Sequence, residues 1–267
     1  MTSAVDENKA WENLHKRIAN RAQGNKKSIR FSLIRVAAAA VLIIGFGLIS
    51  YIIFNKENAP KELVLQSQQQ VVNDTLPDGS MVTLNKRSSI SYPSRFTGHT
   101  RKVVLKGEAF FNVSADKNKP FIISAGDAEI TVVGTSFNVK NENEQTQVVV
   151  ENGIVRVREN GKTIVLNAGE RTTVSGAIVI PVKEKVTDKL YNYYRSREFV
   201  CDDTPLWKLI EVVNEAYDVN IIFGKKELRD LRMNTTFYSQ PLDRILDIIH
   251  QTFDIQITRN GNQIILE

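Results

Sequence analysis

The side chains that could do chemistry are few in this sequence, and their spacing matches no catalytic pattern. The three histidines, His15, His99 and His250, are scattered and have no metal-ligand spacing, and Cys201 is the sole cysteine. Neither a disulfide within the chain nor a thiolate metal cluster can therefore form. The sequence contains no G-x-S-x-G, P-loop or H-E-x-x-H motif. We expect no cofactor, no metal and no enzyme active site.

The acidic residues are plentiful, but no pair of them is diagnostic of acid–base catalysis. Asp78-Gly79 and Gly107-Glu108 stand between short apolar runs and are interpreted as turns, in which glycine and aspartate are common. Cys201 corresponds to Phe237 in an internal repeat with an offset of 36 residues, and it is interpreted as a small buried hydrophobic side chain rather than a nucleophile. The residues with chemical potential therefore indicate binding rather than catalysis.

An uncharged apolar stretch, residues 36–54, organises the chain. Its 19 residues approach the ~20 that a helix needs to cross the hydrocarbon core of a bilayer. A buried core helix would show a polar face, and a cleaved signal peptide would carry its apolar region nearer the N-terminus, before a small-residue cleavage site. The stretch therefore predicts one uncleaved transmembrane helix over residues 34–55.

The charges orient this helix. Residues 1–35 hold eight basic and three acidic side chains, a net charge of +5 that equals the charge of the whole chain. Basic residues beside a transmembrane helix stay in the cytoplasm, so we expect a cytoplasmic N-terminus and a C-terminus on the far side. A basic segment can also bind nucleic acid, but its position beside the helix favours topology, and we expect no direct nucleic-acid contact.

A short amphipathic helix is predicted in the cytoplasmic tail, residues 1–33. Trp11, Leu14 and Ile18 follow the i, i+3, i+7 spacing of one helix face. Two interpretations stay open. In one, the helix rests Trp11 on lipid headgroups beside the membrane; in the other, it docks on a cytoplasmic partner with Trp11 as the anchor.

Residues 56–187 have the pattern of an all-β domain. Short β-type runs, the last of them at residues 178–182, are separated by turn signals such as Asn152-Gly153 and Asn160-Gly161. Asn-Gly between two β-runs is a strong hairpin signal because both turn residues need a positive φ. Turns at roughly 8–12-residue intervals predict a sandwich, a roll or a short solenoid.

Residues 188–267 switch to a mixed pattern. Two helical segments open at Pro205 and Pro241, each is followed by a β-type run, and the two halves align at an offset of 36 residues. Proline suits the first turn of a helix, where its missing N–H costs nothing. The pattern predicts a small α+β domain of two βαβ-like units.

Several stretches together resemble the FecR family of membrane anti-sigma regulators. The most specific are LPDGSMVTLNKRSSISYPSRF (76–96), RKVVLKGEAFFNV (101–113), VVGTSFNV (132–139) and ENGIVRV (151–157). Residues 194–223, YRSREFVCDDTPLWKLIEVVNEAYDVNIIF, are similar to the secretin/TonB short N-terminal type of domain. The resemblance covers nearly the whole chain.

The resemblance implies a role in surface signalling. It implies a single-pass protein of the inner membrane of a Gram-negative bacterium, with the C-terminus in the periplasm. The cytoplasmic tail would hold an extracytoplasmic-function sigma factor through Trp11, Leu14 and Ile18. The periplasmic part would meet the signalling domain of a TonB-dependent outer-membrane receptor and so control genes for nutrient uptake, such as that of iron or carbohydrate.

Two site predictions complete this interpretation. Some members of the family cut themselves at a Gly-Thr pair, and Gly134-Thr135 is the corresponding candidate here, with a tight turn as the simpler interpretation. For the receptor we expect strand addition at an edge strand formed by the last β-run, Gln263, Ile264, Ile265 and Leu266. The alternative function is a membrane-anchored periplasmic binding or scaffold module for glycans or envelope assembly.

Overall fold

The computed structural model describes residues 7–22, 28–57, 60–175, 181–261 and 263–267. The chain divides into two compact units, Met1–Ala59 and Pro60–Glu267. The first unit contains helix α1 (Glu7–Ala22) and helix α2 (Ser28–Glu57). Large apolar side chains of α2, among them Val41, Leu42 and Phe46, are exposed.

Among the described residues, no helix combines the length and the apolar character needed to cross a membrane. The transmembrane helix over residues 34–55 stays a prediction from the sequence.

The second unit begins with a β domain built from one strongly bent sheet. In the described residues its strands are β1 (Glu62–Gln66), β2 (Val72–Thr75), β3 (Met81–Leu84), β4 (Ser89–Pro93), β5 (Arg101–Asn112), β6 (Phe121–Ala125), β7 (Ala128–Val132), β8 (Ser136–Glu142), β9 (Gln145–Asn152), β10 (Ile154–Glu159), β11 (Lys162–Asn167), β12 (Glu170–Ser175) and β13 (Glu184–Lys185). The predicted run at residues 178–182 lies largely outside the described residues.

The bend makes two layers that share strand β5. The first layer has the order β1-β4-β5-β6-β7-β10-β11, and the second has the order β2-β3-β5-β8-β9-β12-β13. Inward side chains of both layers form one apolar core that includes Phe111, Phe121 and Phe137, each fully buried. This mostly-β part, followed by a few helices, agrees with the predicted order of an all-β and an α+β region.

One predicted turn is wrong. Residues 106–108 do not end a strand but lie inside the 12-residue strand β5, where Gly107 has φ +86° and bends the strand from the first layer into the second. A Cβ at this position would lie 2.5 Å from Oγ of Ser88 and 2.9 Å from its Cα. Glycine is therefore required here for its conformation and for the close approach of Ser88.

In its described residues the C-terminal region has three short helices and two small sheets. The elements are α3 (Tyr193–Ser196), β14 (Glu198–Pro205), α4 (Leu206–Tyr217), β15 (Asn220–Phe223), β16 (Arg232–Tyr238), α5 (Leu242–Phe253), β17 (Ile257–Asn260) and β18 (Gln263–Leu266), with 3-10 turns at Leu190–Asn192 and Lys226–Asp230. The internal repeat is visible at the helix ends, where Asp218 and Asp254 both take the left-handed conformation. The region has a second apolar core, against which Val71 and Phe110 of the β domain also pack.

Candidate functional site

The apolar stripe of α1 is exposed to solvent. Trp11, Leu14 and Ile18 are exposed over 60%, 48% and 57% of their surface. The ring of His15 lies beside the ring of Trp11, with 5.7 Å between the ring centroids. Such a stripe on a helix can bind an apolar groove of a partner or a lipid surface.

The expectation that the last β-run is an edge strand is wrong. Strand β18 pairs in parallel with β15 on one side and antiparallel with β17 on the other, so it is the central strand of its sheet. Ile264 and Leu266 are buried, Ile265 is half-buried and only Gln263 is exposed. Since both sides of its backbone are already paired, β18 cannot accept a strand from a partner.

Gly134 and Thr135 lie in the bend between β7 and β8. A Cβ at Gly134 would lie 2.7 Å from Cβ of Ala115 and 2.8 Å from its Cα, so the backbone passes too close for a larger residue. The carbonyl of Thr135 accepts a hydrogen bond from the backbone N–H of Val113 at 2.9 Å. Its hydroxyl is buried and has no hydrogen-bond partner among the described residues. The pair is held tightly, with an unpaired hydroxyl next to the Gly134 peptide.

A buried carboxylate marks the place where the C-terminal region meets the β domain. Glu108 on β5 is 5% exposed. Nδ2 of Asn85 donates to Oε2 of Glu108 at 2.8 Å, and Nδ2 of Asn138 donates to Oε1 at 2.7 Å. The backbone N–H of Glu108 donates to Oγ of Ser88 at 2.9 Å. Each carboxylate oxygen thus has a donor, as a buried acid requires.

Helix α4 of the C-terminal region contributes a second carboxylate, Glu215, to the hydrogen bonds around Glu108. Glu215 receives a hydrogen bond from Nδ2 of Asn85 at 2.9 Å and an ion pair from Nζ of Lys140 at 2.7 Å. Lys140 lies directly opposite Glu108 in the pairing of β5 with β8. We call Asn85, Glu108, Asn138, Lys140 and Glu215 the interdomain network.

The network has unusual proton affinities. Burial raises the pKa of Glu108 to about 7; the nearby Lys140 acts against this rise, while Glu215 adds to it. Burial by itself would lower the pKa of Lys140, but attraction to Glu108 and Glu215 outweighs it and raises the pKa. Glu108 therefore changes its charge near neutral pH, while Lys140 stays a cation.

Aromatic and cationic contacts extend this interface. The hydroxyl of Tyr194 donates to Oδ1 of Asn138 at 2.7 Å. Arg195 places Nη2 2.5 Å from Oε1 of Glu151, and its Cζ lies 3.4 Å from the centroid of the Phe110 ring. The planar guanidinium is suited to such stacking combined with a carboxylate contact.

The loop between β3 and β4, residues 85–88, holds the end of α4. Nζ of Lys86 donates to the carbonyl of Ala216 at 3.0 Å, and Nη2 of Arg87 lies 2.8 Å from Oδ1 of Asp218. Cations near the last carbonyls of a helix are favourable because those carbonyls lack partners and carry the negative end of the helix dipole.

Three other features of this unit bear on the chemistry that it could support. A cleft of about 350 Å³ separates α4 from the second sheet layer and is lined by both acids and bases, among them Lys140, Lys208 and Glu211. Within the described residues, no three metal-ligating side chains come together. Cys201 is buried in the C-terminal core, and burial raises the pKa of its thiol to about 12.

The sequence does not predict the interdomain network, because non-local strand pairing and helix docking bring its members together. The sequence pattern favours a turn at Glu108, and Asn85, Asn138, Lys140 and Glu215 are single polar residues with no motif around them. The one available signal was an acidic residue inside the apolar run KGEAFF. An acidic side chain that is buried in a strand needs hydrogen-bond donors around it. Which residues provide those donors depends on the register of β5 with β8 and on the docking of α4.

Two family models match the chain. The model described as FecR protein matches residues 64–156, and the model described as FecR, C-terminal matches residues 198–266. The similarity of the C-terminal region to the secretin/TonB short N-terminal type was therefore too broad, and the narrower description is a FecR C-terminal domain. No curated protein matches the chain.

Solved structures agree with these matches. Two crystal structures of a candidate anti-sigma factor from Parabacteroides distasonis ATCC 8503, at 1.65 and 2.50 Å resolution, are 28% and 27% identical to this chain, each with a TM-score of 0.65. They cover 78% and 77% of this chain and 98% of their own chains. With both of its domain models matched and its fold shared with these structures, this chain belongs to the FecR family.

Proposed function

We propose that this chain is a transmembrane anti-sigma factor. It binds an extracytoplasmic-function sigma factor in the cytoplasm and senses a TonB-dependent outer-membrane receptor from the periplasm, and it thereby controls transcription of uptake genes. The observation that carries the proposal is membership of the FecR family, together with 28% identity to a candidate anti-sigma factor over 78% of the chain.

The sigma-factor site that we propose is the stripe of α1. An aromatic residue with two aliphatic neighbours on one helix face is the usual anchor of a helix in a groove. Trp11 is 60% exposed, so its ring is available to a partner. The lipid-headgroup interpretation of Trp11 is the alternative outcome of the test.

The test is co-purification from cells. Affinity-purified full chain should retain a sigma factor, identified by mass spectrometry, and a variant lacking residues 7–22 should lose it. A chain that retains no sigma factor would refute the proposed function. If the deletion variant retains as much sigma factor as the full chain, the sigma-factor site lies outside α1.

The membrane anchor that we propose is the apolar part of α2. Its support is the uncharged stretch of residues 36–54, the net charge of +5 on residues 1–35 and the exposed apolar side chains of Ile43, Ile44 and Phe46. A reporter that is active only outside the cytoplasm, fused after Glu267, should be active. Activity of a cytoplasmic reporter alone at the same position would contradict this topology.

The receptor contact that we propose lies on the C-terminal region, residues 188–267. Because β18 is central, strand addition needs another edge. Strand β17 pairs only with β18 among the described strands, and its Thr258, Arg259 and Asn260 are exposed. An open edge of this kind can bind an extended partner segment through main-chain hydrogen bonds.

A second candidate activity is self-cleavage at Gly134-Thr135, favoured by the unpaired buried hydroxyl of Thr135. In this step the Thr135 oxygen attacks the Gly134 carbonyl carbon, the amide C–N bond breaks, and the hydroxyl proton passes to the released Thr135 amine. Water then hydrolyses the resulting ester and yields a Gly134 carboxylate and a free Thr135 hydroxyl.

Intact-mass measurement of the purified chain tests this activity. The expected products are fragments 1–134 and 135–267, retained in Thr135→Ser and absent in Thr135→Ala. Finding only the uncut chain, or the same two fragments in Thr135→Ala, would contradict self-cleavage.

A further inference from the structure

The C-terminal region meets the β domain largely through polar side chains. Each part has its own apolar core, and among the described residues of the β domain Val71 and Phe110 pack against the C-terminal core. The other contacts described above are the interdomain network, the loop contacts of Lys86 and Arg87, the Tyr194–Asn138 hydrogen bond, and Arg195, which pairs with Glu151 and stacks on Phe110. An interface between domains of one chain that contains many polar contacts is compatible with relative motion of the two parts.

The loop of residues 85–88 also makes contacts on the side away from α4, with the residues that follow β1. The backbone N–H of Ser67 donates to the carbonyl of Ser88 at 2.8 Å, and the backbone N–H of Arg87 donates to the carbonyl of Gln68 at 2.8 Å. Oγ of Ser67 donates to the carbonyl of Asn85 at 2.5 Å. Ser67 is 1% exposed. The loop thus holds the residues that directly follow β1.

Strand β1 has few other restraints. It is an edge strand that pairs only with β4 among the described strands, and β4 begins at Ser89, directly after the loop. In sequence, β1 is the first strand after α2, which ends at Glu57. The same four-residue loop therefore contacts α4 on one side and the end of this first strand on the other.

The loop also has a conformation that depends on its contacts. Arg87 has φ +57°, which is uncommon for a residue with a side chain. Its backbone N–H is held by Gln68 and its guanidinium by Asp218. Without the contacts from α4, the loop has more freedom to leave this conformation.

We propose that the loop of residues 85–88 couples the docking of the C-terminal region to the ordering of β1, the strand that follows α2. When α4 is docked, Asn85, Lys86 and Arg87 are held, and the hydrogen bonds to Ser67 and Gln68 stay closed. When α4 leaves, the loop loosens and the end of β1 opens more often. The proposal rests on the proposed function for its purpose, a route from the receptor side towards the membrane, but not for its measurement.

Amide hydrogen exchange on the full chain in lipid nanodiscs tests the coupling. The variant Glu215→Gln/Asp218→Asn weakens docking from α4 without changing the loop or β1, and Glu211→Gln, exposed one turn earlier on the same helix, is the matched control. We expect the amides of Ser67 and Arg87 to exchange about fivefold faster in the variant, a change that corresponds to the loss of roughly one hydrogen bond. The hairpin of β10 and β11 should not change.

A second variant lacking residues 188–267 removes docking completely and should show the same or a larger increase at Ser67 and Arg87. Unchanged exchange at these two amides in the deletion variant would overturn the proposal. An equal increase in the hairpin of β10 and β11 would also overturn it, because that pattern means general destabilisation. The exchange experiment contains neither sigma factor nor receptor, so its result does not depend on the proposed function. If the loop is coupled to β1 but the chain retains no sigma factor, only the proposed function is refuted.

Discussion

Glu108 and Glu215 share one hydrogen-bond donor: Nδ2 of Asn85 lies 2.8 Å from Oε2 of Glu108 and 2.9 Å from Oε1 of Glu215. One carboxyl belongs to the β domain and the other to α4 of the C-terminal region. Two carboxylates so close to one amide repel each other unless a cation or a proton is present. Lys140 is the cation, and Glu108 can bind the proton near neutral pH because its pKa is raised.

This relationship predicts a pH dependence of stability. The folded pKa of Glu108 is about 7, above its ordinary value of 4.5, so the folded chain binds this proton more tightly than the unfolded chain. Its contribution is therefore present below about pH 4.5, declines as pH rises and is lost above about pH 7. The integrated loss is on the order of 3 kcal/mol in the free energy of unfolding.

Urea denaturation between pH 5 and pH 8 measures this effect. Fluorescence of Trp207 in a Trp11→Phe background reports on α4. Because other groups also titrate, the quantity to compare is the difference between this chain and its Glu108→Gln variant, whose amide cannot ionise. We expect the variant to lose less stability as pH rises. Parallel stability curves would show that Glu108 titrates as an ordinary glutamate.

A second prediction concerns the buried ion pair of the β domain. Arg101 is 2% exposed, and its Nη1 lies 2.6 Å from Oδ2 of Asp78 and donates to the carbonyl of Ser114 at 2.8 Å. Arg101→Leu should lower the free energy of unfolding by about 3–5 kcal/mol, because the Asp78 carboxylate loses its counter-charge. Arg101→Leu/Asp78→Asn should recover part of the loss. A change in urea midpoint no larger than that of Lys102→Leu, on the exposed face of the same strand, would contradict this role.

The sequence and the structure agree where local pattern decides the outcome. Helices α4 and α5 begin directly after Pro205 and Pro241, where the sequence predicts that two helices open. Agreement fails where distant strands decide. Gly107 is a bend inside β5 rather than a turn, because Ser88 of another segment lies against it. Strand β18 is central because β15, whose residues stand 43 positions earlier in the chain, pairs with it in parallel. Such partners leave no local signature in the sequence.

A third prediction concerns Arg195. Its guanidinium stacks on Phe110 and pairs with Glu151. Arg195→Gln should lower the free energy of unfolding by about 1–2 kcal/mol, and Arg195→Lys should restore only part of it because an ammonium lacks the planar face. A double-mutant cycle with Phe110→Leu should give a coupling of about 1 kcal/mol. If the effects of the two substitutions on the free energy of unfolding are additive, the stacking of Arg195 on Phe110 does not contribute to stability.

A fourth prediction concerns signal input. Deleting residues 188–267 should abolish induction of the target genes, because the proposed receptor contact is lost, while sigma-factor binding by the tail persists. Reporter transcription with and without the inducing ligand measures the loss, and co-purification of the sigma factor is the control. Full induction in the truncated strain would mean that the receptor contacts the β domain.

The central claim, that α1 holds a sigma factor, is tested most directly by the dissociation constant of the purified complex. The sigma factor recovered with the full chain should be titrated against the chain in nanodiscs. We expect Trp11→Ala to weaken binding about 30-fold, since a buried tryptophan anchor contributes roughly 2 kcal/mol or more. Asn13→Ala, on the opposite face of α1, should change it less than about threefold. Equal affinity of Trp11→Ala and the unaltered chain would contradict the account and assign Trp11 to the lipid surface.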